Sequence, residues 1–260
     1  MQVFLYLRIK FQMMDRLILF RFHSNPEICA QRIRILDRMN PDTKIVGLGE
    51  NIDNLNLLYD AGMQDLYTLD EKDSRWCWLN GDLAMKEWFN KTGYDMNFDM
   101  LHLIEWDLIL TEPLDEIYNE INGIGLTGKI SIEEARRHDW NWVSGSSFHL
   151  YEHFCDKIGI ESGYACLLPG CCFSREFLEF ISDIDYPEVC NDEARIGALA
   201  KASNSDVSDT GFYNWDGSTR HLFNCKNSPI EESLIYNSES SAFHPYRSKL
   251  NDTERIVSDK

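Results

Sequence analysis

From Leu17 onward, short apolar runs alternate with amphipathic stretches, the rhythm of a βαβ unit built on a parallel sheet. Residues 17–22, LILFRF, are a run of strand length closed by His23-Ser24-Asn25-Pro26. Ser24 or Asn25 can cap a helix whose first turn takes Pro26 and Glu27. That predicted helix carries Ile28, Ile33, Leu36 and Met39 on one side, sets Arg32, Arg34 and Arg38 elsewhere, and stops at Asn40-Pro41. A second strand follows at 44–50, KIVGLGE, whose glycines let the backbone approach a neighbour or a ligand. Residues 76–93 predict a helix capped by Asn80 or Asp82 and ended near Gly93, with Trp76, Trp78 and Trp88 read as packing aromatics. The stretch 99–110, DMLHLIEWDLIL, is an almost unbroken apolar strand. Strands buried on both faces have that character, so it is expected at the centre of the sheet.

The second half alternates less cleanly. A strand is expected at 125–132, a glycine-containing turn at 168–174 (LPGCCFS), and helices at 175–184 and 191–203. From Asn204 the chain is rich in Ser, Asp and Asn and reads as loop, with residues 251–260 as a flexible tail. No internal repeat and no linker divides the chain. The expected organisation is an N-terminal extension or edge strand at 1–16, then one α/β domain at 17–250 with halves at 17–110 and 111–250.

Composition narrows the function classes. With 43 acidic against 25 basic side chains the formal charge is −18, a field that repels polyanions, so nucleic acid is not an expected partner. Eight cysteines in 260 residues are too sparse for a disulfide scaffold, and the adjacent Cys171-Cys172 lacks the spacing of a zinc knuckle. No run of 18 uncharged apolar residues exists, and Arg8 and Lys10 interrupt the apolar N-terminus without a cleavage site after it. No transmembrane segment and no signal peptide is therefore expected, and the location is expected to be cytoplasmic or peripheral at a membrane.

Against that acidic background a few groups carry candidate chemistry. Alternation along an extended segment places Glu105 and Asp107 on one face, where two carboxylates repel unless a cation lies between them. Oxygen donors of this kind suit Mg²⁺ or Mn²⁺. Ala242-Phe243-His244-Pro245-Tyr246-Arg247 is an aromatic and basic island in a polar segment. A neutral imidazole can ligate Mn²⁺, and an arginine clamps phosphate. Asn191-Asp192-Glu193 opens a predicted helix; its acids are either caps or a general base. Gly170 permits close backbone approach.

In this order the four signals resemble a glycosyltransferase of the GT-A fold, in which a nucleotide-binding half ends in an Asp-x-Asp-type motif. Here the motif is Glu105-Trp106-Asp107, about 85 residues before Asp192, which is in turn about 52 before His244. The resemblance implies an α/β, Rossmann-like domain with a central, mostly parallel sheet flanked by helices, and a nucleotide-binding half at 17–110. It implies transfer of a hexosyl or pentosyl group from a UDP- or GDP-sugar to a hydroxyl of a glycan, lipid-linked or protein acceptor, with inversion. It places a divalent cation, Mn²⁺ or Mg²⁺, on Glu105, Asp107 and His244. The donor falls to His23, Glu50, Asp82, Glu105, Trp106, Asp107, Gly170 and Arg247, and Asp192 or Glu193 becomes the base. A sugar nucleotidyltransferase is disfavoured because the loop at 23–26 has neither glycine nor lysine. A binding module of the same fold would tolerate loss of Asp107.

Overall fold

The computed structural model describes residues 14–50, 53–69, 72–218, 222–225 and 230–258. The expectation of an extension or edge strand at 1–16 thus falls almost wholly outside the described residues. Among the described residues nine strands form, in the order β1 (Arg16–Phe22), β2 (Lys44–Gly49), β3 (Asp65–Thr68), β4 (Met100–Glu105), β5 (Ile109–Leu110), β6 (Ile124–Ser131), β7 (Tyr164–Ser174), β8 (Val207–Asp209) and β9 (Ala242–Phe243). Seven of them make one sheet, ordered β3-β2-β1-β4-β7-β6-β8. All neighbouring pairs are parallel except those made by β7. Helices cover both faces, so the mostly parallel, helix-flanked sheet is what the chain forms.

The burial pattern shows why the apolar runs were unbroken. Along β1, Leu17 and Leu19 join the core on one face, while Ile18, Phe20 and Phe22 join the core on the other. In β4, Leu101 and Leu103 face the first core and Met100 and Ile104 the second. A strand with no solvated face has few positions for a polar residue; in β4 the exception, His102, is buried against Arg16. Each such side chain contributes about 1.5–3 kcal/mol on burial, and β4 lies fourth of seven, at the centre as expected.

Several local expectations are corrected. The apolar stretch 99–110 is not one strand: β4 ends at Glu105, the Trp106 amide turns back to the Arg21 carbonyl, and β5 leaves the main sheet to pair with β9. Residues 168–174 are the end of β7, not a turn. Its Pro169 lies outside the pairing with β4, which covers only Met100↔Ser174 to His102↔Cys172. The missing N–H therefore costs no bond on that side, and Gly170 takes φ +80° where the ladder to β6 is irregular. The helix expected over 76–93 is two, Ser74–Leu79 and Gly81–Lys91, the first capped by Asp73 accepting from the Trp76 amide at 2.7 Å.

The first long helix, Pro26–Met39, begins without a side-chain cap, and its Arg32 is buried, donating to the Ser248 carbonyl at 2.6 Å. That bond anchors the C-terminal segment, which is far from a loop. It contains β9 and the helices Glu232–Asn237 and Thr253–Ser258. The last of these falls within the expected tail, yet Ile256 is buried and Glu254 pairs with Arg38.

Candidate functional site

Strands β1, β2 and β4 point the same way, and their C-terminal ends open into a cavity of about 800 Å³. From β1 the chain runs to β2 and β3 on one side and then crosses from β3 to β4 on the other side of β1, the kind of switch point where open α/β sheets bind ligands. Phe22, His23, Gly49 and Glu105 line it from the strand ends.

Beyond β4 the chain is steered by the small second sheet. β5 pairs with β9 antiparallel, Ile109 opposite Phe243 and Leu110 opposite Ala242. The residue after β9 therefore returns beside the residues before β5. The Tyr246 amide donates to the Asp107 carbonyl at 2.8 Å, and His244 meets Asp107 across 137 residues of sequence. Glu105, Asp107 and His244 each offer one ligand atom within 4.8 Å of the others.

The donors in this cluster are incompletely partnered. Asp107 Oδ2 accepts from Arg247 Nε at 3.0 Å, but the buried Oδ1 has no hydrogen-bond partner among the described residues. Its neighbour is His244 Nε2 at 3.4 Å. His244 Nδ1 lies 2.8 Å from the Asn224 carbonyl, which can only accept, so Nδ1 carries the proton. In the neutral imidazole the Nε2 lone pair then points at a carboxylate lone pair, which is stable only with a proton or a cation between them. Burial alone would push the Asp107 carboxyl up, but His244 and Arg247 outweigh it and hold it below the usual carboxylate range. Burial alone would lower His244, but Asp107 and then Glu105 raise it. Two oxygen donors and one nitrogen with an unpartnered buried oxygen among them fit a divalent cation.

Arg21 connects this cluster to a second pair of acids. Its Nη1 is 3.2 Å from Glu105 Oε1 and 3.8 Å from Asp192 Oδ2, and Nη2 donates to the Cys77 carbonyl at 3.0 Å. The guanidinium fits because residue 81 is glycine: a Cβ there would stand 2.1 Å from Nη1. Asp192 and Glu193 open the helix Asp192–Ala202, capped by Asn191. Asp192 is 2% exposed and spends both oxygens on backbone amides, Oδ2 on Gly81 and Oδ1 on Glu193. Glu193 accepts from the Leu168 amide through Oε1 at 3.2 Å, and Oε2 has no partner among the described residues. Burial pushes both carboxyls above their ordinary range, and Asp192 raises Glu193 further.

The structure thus brings His23, Glu105, Trp106, Asp107, Asp192, Glu193, His244 and Arg247 to one cavity. His23 Nε2 accepts from Trp106 Nε1 at 3.1 Å, which seats the imidazole against the turn after β4. Three expected donor contacts do not belong there. Asp82 is fully buried with both oxygens on Arg195, at 2.6 and 2.9 Å, so it neither meets a ribose nor caps a helix with its side chain. Gly170 is under Phe212 in the core, its carbonyl taken by Tyr118. Glu50 is not among the lining residues; its Oε2 accepts from Ser74 Oγ at 3.0 Å, and its buried Oε1 has no hydrogen-bond partner among the described residues. Trp140 and Trp142, which the sequence did not single out, line part of the wall, and Trp78, expected as a packing aromatic, is exposed there. Two tryptophans inside the polar run RRHDWNWVSGSS were the available signal.

No family model and no curated protein matches the chain. Among solved structures it is similar to the galactosyltransferase LgtC in complex with donor and acceptor sugar analogues, at TM-score 0.44 and 13% identity over 74% of this chain and 72% of that one. It is also similar to glucosyl-3-phosphoglycerate synthase from Mycobacterium tuberculosis in complex with Mn²⁺, UDP and glucosyl-3-phosphoglycerate, at TM-score 0.42 and 12% identity over 76% and 69%. A third is the glycosyltransferase GlyE of Streptococcus pneumoniae TIGR4, at TM-score 0.37 and 12% identity over 76% of this chain and 46% of that one. Among the described residues no helix is long and apolar enough to cross a membrane.

Proposed function

We propose that the protein transfers a sugar from a nucleoside diphosphate sugar to an acceptor hydroxyl, using a divalent cation held by Glu105, Asp107 and His244. The observation that carries this reading is the unpartnered, buried Asp107 Oδ1 facing His244 Nε2 at the mouth of the parallel strands, with an acid pair across Arg21. When bound, the cation neutralises charge that develops on a diphosphate leaving group.

The chain's own residues supply the rest. Arg247, half-exposed and oriented by Asp107, presents positive charge to phosphate oxygens in an otherwise acidic protein. Phe22, His23 and Gly49 at the strand ends bound the space for the nucleoside. Glu193, rather than Asp192, takes the proton from the acceptor hydroxyl, because its Oε2 is unused whereas both Asp192 oxygens are bound to amides. Its raised pKa suits a base working near neutral pH. Attack of that hydroxyl on the anomeric carbon opposite the departing diphosphate gives inversion. Asp192 and Arg21 hold Glu193 and Glu105 in place.

The test is release of nucleoside diphosphate from a panel of UDP- and GDP-sugars with Mn²⁺, Mg²⁺ or EDTA. Turnover that needs a cation and falls by about 10²–10⁴ in Glu193→Gln, the range for loss of an acid–base group, supports the reading. Turnover indifferent to EDTA, or retained in Glu193→Gln, contradicts it.

A further inference from the structure

The diphosphate and proton chemistry leaves one wall of the cavity unused. Trp78 is 59% exposed, the most exposed of the large apolar side chains. Its ring meets that of Trp142 edge to face, with centroids 5.8 Å apart. Trp140 continues the wall and is fixed edge-on by Trp215 at 5.6 Å, whose Nε1 donates to the Gly128 carbonyl at 2.6 Å. An indole left in water at the lip of a polar cavity, edge to face with a second indole, is a surface prepared for a flat partner.

We infer that Trp78 and Trp142 form the acceptor subsite and that the acceptor is a neutral carbohydrate whose pyranose face stacks on them. The inference rests on the glycosyltransferase reading for its location. Trp78 is tied to the acids: Arg21 Nη2 reaches the Cys77 and Trp78 carbonyls at 3.0 and 3.4 Å while Nη1 faces Asp192. Three residues on, the Gly81 amide donates to Asp192 at 2.8 Å. An acceptor hydroxyl that meets Glu193 therefore brings the rest of its molecule against this wall.

The chemistry of the wall selects the class. A pyranose presents C–H groups on its face, which match the negative face of an indole, and hydroxyls at its rim, which need polar partners. Asn141, exposed and set between Trp140 and Trp142 in the chain, provides one. A lipid tail would require a continuous apolar groove, which this wall is not. A formal charge of −18, with Asp192 and Glu193 beside the rings, disfavours an anionic sugar.

The test is binding of labelled protein to an array of neutral oligosaccharides, alongside titration with UDP and GDP in Mn²⁺, for wild type, Trp78→Ala, Trp142→Ala and Trp78→Phe. Wild type should retain a subset of glycans. Each alanine should weaken retention at least tenfold, phenylalanine at 78 should restore most of it, and nucleotide affinity should move less than twofold. Trp78 is exposed, so its truncation removes no core. The inference is overturned if no neutral glycan is retained, if the alanine variants retain glycans as wild type does, or if the loss appears in nucleotide affinity, which would give the indoles to the base. Failure of the parent reading looks different: wild type would then bind neither nucleotide in Mn²⁺, whatever the array shows.

Discussion

Asp82 and Asp107 are both buried aspartates, both paired to an arginine distant in sequence, and both suggested by the sequence as donor contacts. Their surroundings differ in one respect. Asp82 gives each oxygen to Arg195, which is itself bound to the Asn80 side chain and the carbonyls of Leu79, Val189 and Cys190. Asp107 gives one oxygen to Arg247 and leaves the other without a hydrogen bond, 3.4 Å from His244 Nε2. The first is a closed joint between the helices Gly81–Lys91 and Asp192–Ala202; the second is an open valence. Burial and a nearby cation do not distinguish a structural acid from a functional one; what sets Asp107 apart is an unpartnered oxygen that converges with two further ligating side chains, Glu105 and His244.

The largest expected effect breaks the closed joint. Asp82→Ala leaves the Arg195 charge buried and unpaired, and should lower the unfolding free energy by about 3–5 kcal/mol, read from urea denaturation. Asp107→Asn should lose about 10²–10³ in turnover, roughly 2.7–4 kcal/mol, while keeping most of its stability. If Asp82→Ala is the mild change in stability and Asp107→Asn the severe one, the contrast between the two sites is wrong.

Acidity separates the sites further. Asp107 titrates below the ordinary carboxylate value of about 4, so its stabilisation is complete above that value and lost as pH falls through the folded pKa. Asp107→Asn should remove that part of the acid limb. Asp192 and Glu193 titrate above it, so the folded chain keeps protons that the unfolded chain releases, and stability declines as pH climbs through the raised range. Glu193→Gln should flatten part of this decline, the rest belonging to Asp192 and to His244, whose pKa is also raised. Urea midpoints between pH 3 and 9 read both limbs. The smallest effect is expected at Arg38, exposed and paired with Glu254: Arg38→Ala should cost only about 0.2–1 kcal/mol.

Much of the sheet was legible in the sequence because strands buried on both faces leave no ambiguity in their apolar runs, as in 17–22 and 99–105. The second half was harder. Pro169-Gly170 has the composition of a turn, and only its position beyond the pairing with β4 makes it strand. The approach of Glu105, Asp107 and His244 was suggested by residue type and order, but its cause, the two-residue pairing of β5 with β9, is too short to carry a sequence signature. Asp82 misled for the opposite reason: an acid in the first turn of a helix looks like a cap, and the arginine that claims it is 113 residues away.

The central claim is that Asp107, with Glu105 and His244, holds a cation that binds a nucleoside diphosphate. The most direct measurement is thermal unfolding of wild type and Asp107→Asn with UDP or GDP, in Mn²⁺ and in EDTA. A nucleotide at a hundred times its dissociation constant adds about 2.7 kcal/mol, which for a chain of this size raises Tm by several degrees. The account predicts that rise in wild type with Mn²⁺ only, and none in Asp107→Asn. An equal rise in EDTA, or one that survives the substitution, would contradict it.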